Sequence, residues 1–146
     1  MILMLKSLIV SGNAIDWLLI ALVGLDVVLA TLTLVFSRAW FRLFHDRPYI
    51  DPQGLLKRMG AVWVAFVIVQ MVALVRWRTD PYWLVAVAGV RLTESLSDWV
   101  YMFSAEHITW RGRIGLFVAP PGNVLIAWFL IEAFIAVSHR IAGGLP

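Results

Sequence analysis

The sequence predicts an all-α, polytopic integral membrane protein: a four-transmembrane-helix up-down bundle forming one domain over residues 1–146. Two observations carry this expectation. Of the 146 residues, 62% are hydrophobic and 14% are charged, against about 25% charged in an average soluble domain. The apolar residues also gather into four runs, each close to the ~20 residues that cross ~30 Å of hydrocarbon. Too few charges remain to wet a small globule, so a soluble domain, a disordered chain and a nucleic-acid-binding module are excluded. The net charge of +3 does not alter this, because the basic residues sit in short clusters between the apolar runs. The absence of cysteine excludes disulfides, thiolate metal sites and cysteine nucleophiles.

The elements follow in order. Residues 1–10 are apolar but short, and Ser11-Gly12-Asn13 separates them from the first span. Lys6 lies too far in for the basic start of a signal peptide, and residues 11–14 make a poor cleavage site. A retained interfacial segment or an extension of the first helix is expected. The first span covers about 17–36, with Asn13 and Asp16 as candidate caps. The second covers 55–75 and the third 82–103. Asp51-Pro52 and Asp80-Pro81 place a capping carboxylate before a proline at the first helical position. The fourth covers 122–137 and is opened by Pro120-Pro121-Gly122-Asn123. Short loops make neighbouring helices antiparallel. Gly24, Gly60 and Gly89 are candidates for close helix contact, although no GxxxG pattern occurs.

Orientation follows from Lys and Arg at the span ends. Arg38, Arg42, Arg47, Lys57, Arg58, Arg111 and Arg113 flank the first and third loops, seven in all, against four on the other side: Lys6, Arg76, Arg78 and Arg140. This places those loops in the cytoplasm and both termini outside. Trp17, Trp40, Trp77, Trp83 and Trp110 lie near span ends, as interfacial tryptophans do. Arg38, Trp40 and Arg42 interleave basic and aromatic residues at helical spacing, as in a segment lying along a membrane surface. Arg38, Trp40, Arg42, Trp77, Trp83 and Trp110 are therefore the expected lipid-interface set.

The informative residues are the polar groups inside the spans: Asp26, Gln70, Arg91, Glu94, Asp98 and Glu132. A charge at mid-bilayer costs about 2.5–3.5 kcal/mol on insertion scales, so these groups are expected to face inward and neutralise one another. At 100° per residue Arg91, Glu94 and Asp98 share one face of the third helix. Spacing puts Asp26, Arg91, Glu94 and Glu132 at similar depth, with Asp98 about 9 Å nearer the cytoplasm. One permanent cation faces four carboxylates in this layer. Either some carboxylates are protonated, or a metal ion or cationic ligand completes the site. Arg91 is expected at the centre, meeting Asp26 or Glu94 on one side and Glu132 on the other.

No motif assigns chemistry to this layer. The Glu-x-x-His pairs of a di-iron bundle are absent, as are HExxH, the P-loop and G-x-S-x-G. His45, His107 and His139 lie at span ends or in loops, which does not suit a bis-histidine haem. No resident metal or cofactor is expected; a bound lipid or quinone would fit the surroundings.

The third span, Val90-Arg91-Leu92-Thr93-Glu94-Ser95-Leu96-Ser97-Asp98-Trp99-Val100-Tyr101, and Lys57-Arg58-Met59-Gly60 at the start of the second, resemble the DoxX-like superfamily of small bacterial membrane proteins. The resemblance implies a four-helix bundle with a polar interior and, as for some members, partnership with sulfur- or quinone-linked redox enzymes. It supplies no catalytic residue, and the lack of cysteine departs from thiol chemistry. Three functions stay open at this point. The first is a non-enzymatic subunit or scaffold, packed with lipids and with copies of itself or other membrane subunits. The second is a binder or enzyme for a quinone- or isoprenoid-like molecule. The third is a proton- or cation-coupled transporter.

Overall fold

The computed structural model describes residues 13–51 and 53–143. The expectations for residues 1–10 and for Pro52 therefore lie outside the described residues. Five helices follow in order: α1 (Asn13–Leu34), α2 (Ser37–Phe44), α3 (Leu55–Arg76), α4 (Tyr82–Ser104) and α5 (Trp110–Ala142). The protein is all-helical among the described residues, apart from one isolated antiparallel bridge between His45 and Ile108. α1 packs along α3, α4 packs along α5, and a third contact joins α3 to α4.

Three of the long helices, α1, α3 and α5, are long and apolar enough to cross a membrane. α4 has the length but carries Arg91, Glu94 and Asp98 within its 23 residues, and composition alone does not qualify it. Burial is inverted relative to a soluble globule. Large apolar side chains such as Ile68 and Leu96 are exposed (57% and 62%), whereas Asp26 and Gln70 are fully buried. An apolar exterior around a core that holds buried charged and amide groups among its apolar side chains is the distribution of a membrane-embedded protein.

The helix starts differ from expectation in three places. At α4 Pro81 precedes the first helical residue, Tyr82, whose amide donates to Asp80 Oδ1 at 3.3 Å. Asp51 does cap α3, accepting hydrogen bonds from the Leu55 and Leu56 amides at 2.7 and 3.0 Å. It does so across a turn in which Gly54 takes a left-handed conformation, φ 63°, that a side chain would strain. The larger difference is in α5. The Pro120-Pro121 pair does not open this helix but lies inside it, and the helix begins at Trp110, capped by the Thr109 hydroxyl. The prolines cannot donate to the Leu116 and Phe117 carbonyls one turn back, a loss that a long packed helix tolerates. At the same level the Ser95 hydroxyl of α4 donates to the Pro120 carbonyl at 3.0 Å and ties α4 to α5. At 1.5 Å per residue the 33 residues of α5 reach about 50 Å, well beyond ~30 Å of hydrocarbon.

Of the three glycines expected at close contacts, only Gly60 makes one. A Cβ there would lie 2.6 Å from Thr33 Oγ1 and 2.7 Å from Leu34 Cγ, whereas Gly24 and Gly89 have nothing within 4 Å. Gly60→Ala is expected to push α1 from α3 and lower stability by about 1–3 kcal/mol. Gly24→Ala and Gly89→Ala should be neutral or stabilising, by up to ~1 kcal/mol of helix propensity. Unfolding of the three variants in detergent checks the contrast; equal effects would disprove the close packing at Gly60.

Candidate functional site: a buried Arg91 network

The α1–α3 register that seats Gly60 also brings Gln70 of α3 level with Asp26 of α1. Gln70 Nε2 donates to Asp26 Oδ2 at 2.6 Å. Arg91 of α4, 1% exposed, pairs with the same Asp26 oxygen through one guanidinium nitrogen. Its second terminal nitrogen donates to Glu94 Oε2 at 2.6 Å, one turn along α4. Glu94 also accepts from Trp63 Nε1 of α3 at 3.0 Å and from Asn123 Nδ2 of α5 at 3.4 Å. One connected set of hydrogen bonds thus joins all four long helices.

Arg91 is the centre of this network, as its depth and charge predict, but one of its expected partners is missing. Glu132 makes no ion pair with it, and the α5 residue that reaches the layer is Asn123. The cause is the misplaced start of α5. With Ser95 opposite Pro120 and Glu94 opposite Asn123, Glu132 falls nine residues further along the helix, about 13 Å from the layer. It sits half-buried near the Tyr82–Phe134 ring contact. Asp98 is half-buried one turn beyond Glu94, with no hydrogen-bonding or ionic partner among the described residues.

Sequence reasoning missed Trp63 and Asn123. Trp63 carries a usable signal: it is a tryptophan well inside a span, away from the ends where the others gather. Asn123 was hidden by the adjacent Pro-Pro-Gly, which reads as a turn.

The network is closed except around Asp26. Asp26 Oδ1, Gln70 Oε1 and Arg91 Nε are buried without a hydrogen-bond partner. Gln70 and Arg91 each already meet Asp26 Oδ2 through another atom. With both carboxylates ionised the cluster carries one net negative charge; a proton on either makes it neutral. The arrangement can therefore hold the helices in register. Among the described residues no group of three or more metal-ligating side chains could hold a metal ion.

The expected lipid-interface residues divide. Arg38 and Arg42 are exposed on α2, and Trp110 is 67% exposed with the Arg111 guanidinium 5.4 Å from its ring. Trp40 is half-buried against Phe44, ring centroids 4.6 Å apart. Trp77 is not interfacial but buried: its Nε1 donates to Asp16 at 2.9 Å, and Arg78 pairs with the same carboxylate. Asp16 is thus a tie between the start of α1 and the end of α3. Trp83 packs half-buried against the apolar core.

At the opposite, basic end the first and third loops are clamped together. The Thr109 amide donates to the Phe44 carbonyl at 2.8 Å and the Asp46 amide to the His107 carbonyl at 3.0 Å. His45 stacks on Phe41 and meets the Tyr101 hydroxyl. Burial and the nearby Arg47 charge hold the His45 imidazole below its ordinary pKa of 6.5.

Two predictions follow from these contacts. Arg91→Ala should cost about 3–5 kcal/mol, because it strands a buried carboxylate, and Arg91→Lys should restore only part of this, since a point charge cannot hold two carboxylates in a fork. Glu132→Gln should change stability by less than ~0.5 kcal/mol. Equilibrium unfolding in detergent measures all three, and an Arg91→Ala protein as stable as the parent would sink the network. For His45, the folded state disfavours the charged form. Its contribution to stability is complete above pH ~6.5 and is lost as pH falls through that value toward the lower folded pKa. The melting temperature should therefore drop more between pH 7.5 and pH 5 in the parent than in His45→Gln; parallel curves would contradict this.

Comparisons with family models, with curated proteins and with solved structures give no match.

Proposed function

We propose that the chain is a four-span protein of a bacterial inner membrane that acts as a non-enzymatic subunit or scaffold of a larger membrane assembly. The carrying observation is that the Arg91 network pairs its charges with one another across four helices. Two clefts lie at the basic end, lined by residues of α2 and of the loops and helix ends beside it, and neither borders Asp26, Glu94 or Arg91. A binder of a quinone-like molecule acting through these carboxylates calls for charges turned toward a ligand instead.

In this reading α4 is the fourth span. Its charges close inward through Asp26, Glu94 and Trp63, while Leu92, Leu96, Trp99 and Phe103 are exposed and face lipid or a neighbouring subunit. The basic end faces the cytoplasm by the positive-inside rule, which places both termini outside. The DoxX-like resemblance agrees with a polar-cored bundle that works beside other proteins. The apolar belt around the helices supplies the packing surface, and Asp98, half-buried at its edge, offers a neighbouring helix a hydrogen-bond acceptor.

Mass measurement of the complex purified in mild detergent tests the proposal. An assembly of several copies, or of this chain with other membrane subunits, is the expected result; a lone monomer would overturn the subunit reading. The orientation is checked separately, because the chain has no native cysteine. A cysteine placed at Gln53 should resist an impermeant thiol reagent in intact cells, and labelling there from outside would invert the topology.

A further inference from the structure

The basic end holds two clefts, one on each side of α2. The smaller, about 460 Å³, is bordered by Arg42, Arg111 and Asp46. The larger, about 670 Å³, is bordered by Arg38 and Lys57 together with Val35, Phe36, Tyr49 and Asp51. Both volumes are in the range of small-molecule sites, but their electrostatics differ. In the smaller cleft the Asp46 carboxylate has no side-chain partner among the described residues, so its charge opposes those of Arg42 and Arg111. In the larger, Asp51 is already engaged: it accepts from the Leu55 and Leu56 amides at the start of α3 and from the Tyr49 hydroxyl. A carboxylate at a helix N-terminus is partly offset by the helix dipole, equivalent to roughly half a positive charge. Arg38 and Lys57 make no ion pair among the described residues, so this cleft presents two uncommitted cations.

Its remaining wall is apolar. Val35 and Phe36 are 69% and 55% exposed at the junction where α1, a candidate membrane span, gives way to the surface helix α2. A cationic rim beside an apolar wall, at the depth where a span ends, matches one chemistry. We propose that this cleft seats an anionic phospholipid, its phosphate held by Arg38 and Lys57 and the upper part of its acyl chains lying on Val35 and Phe36. Arginine forks onto phosphate oxygens while lysine supplies a point charge. The proposal rests on the membrane setting of the helices and is independent of the subunit reading.

Native mass spectrometry of the full chain in detergent, titrated with phosphatidylglycerol or phosphatidylcholine, tests it. The parent should retain phosphatidylglycerol preferentially. R38Q/K57Q should bind it on the order of tenfold more weakly, while R38K/K57R, which keeps both charges, should bind within a few-fold of the parent. R42Q/R111Q, across α2, should bind like the parent. The proposal is overturned if R38Q/K57Q binds as the parent does, if R42Q/R111Q loses as much, or if phosphatidylcholine binds equally well. Glycerol phosphate, which has the anion without the chains, separates the two phosphate sources: displacement of the lipid by an equimolar amount would make this a free-anion site and overturn the lipid assignment. The same spectra report copy number, so failure of the subunit reading is seen apart from failure of the lipid site.

Discussion

The guanidinium of Arg91 is the constraint on which the rest of the bundle depends. It stays charged at any physiological pH, it is 1% exposed, and it sits on a helix whose neighbours present mostly apolar surface. Every carboxylate or amide that reaches it must come from a different direction. Asp26 arrives from α1 with Gln70 of α3 behind it, and Glu94 arrives from α4 itself, held by Trp63 of α3 and Asn123 of α5. These groups are short, so the rotation and register of each helix are fixed to within the reach of a hydrogen bond. Gly60 contributes by letting α1 and α3 approach closely enough for Asp26 and Gln70 to meet.

A buried ion pair is weak evidence for stability, because apolar residues of the same volume often serve as well or better. Its use lies in discrimination. Four apolar helices can slide and rotate against each other at small cost, whereas a misregistered Arg91 leaves an unpaired charge. The same reasoning explains α4. Arg91, Glu94 and Asp98 disqualify it as a span by composition, yet two of these three charges are closed within the protein. What it turns outward around them, Leu92, Leu96, Trp99 and Phe103, is as apolar as the faces of the other helices.

The sequence made the polar core legible and its wiring only partly so. Helical periodicity and depth identified Asp26, Gln70, Arg91 and Glu94, because a charge inside an apolar run has few places to go and a helix fixes which residues share its face. They did not identify the α5 partner. The Pro-Pro-Gly-Asn run has strong local breaking propensity, and packing of α5 along α4, with Ser95 bonded to the Pro120 carbonyl and Asn123 to Glu94, overrode it. That one misplaced boundary shifted the level of Glu132 and hid Asn123. Trp77 failed for a related reason. Its position near a span end matched an interfacial tryptophan, but Asp16, whose sequence position suits a helix cap, instead accepts the indole N–H. Local rules place a residue on its own helix; partners on another helix decide which way it serves.

The charges of the molecule consequently fall into two kinds. Those of the interior face one another, and a partner outside the bundle meets little of them. Those of the basic end stand on a platform clamped by the Thr109–Phe44 and Asp46–His107 hydrogen bonds, with Arg38, Arg42, Lys57 and Arg111 directed to solvent around α2. Around the bundle lies an apolar belt, interrupted by half-buried Asp98 on the basic-end side of the Arg91 layer and by half-buried Glu132 on the other side. The basic end is therefore the charged face of the molecule and the belt its apolar one, and the Arg91 network, by fixing the register of the four long helices, keeps the two in fixed relation.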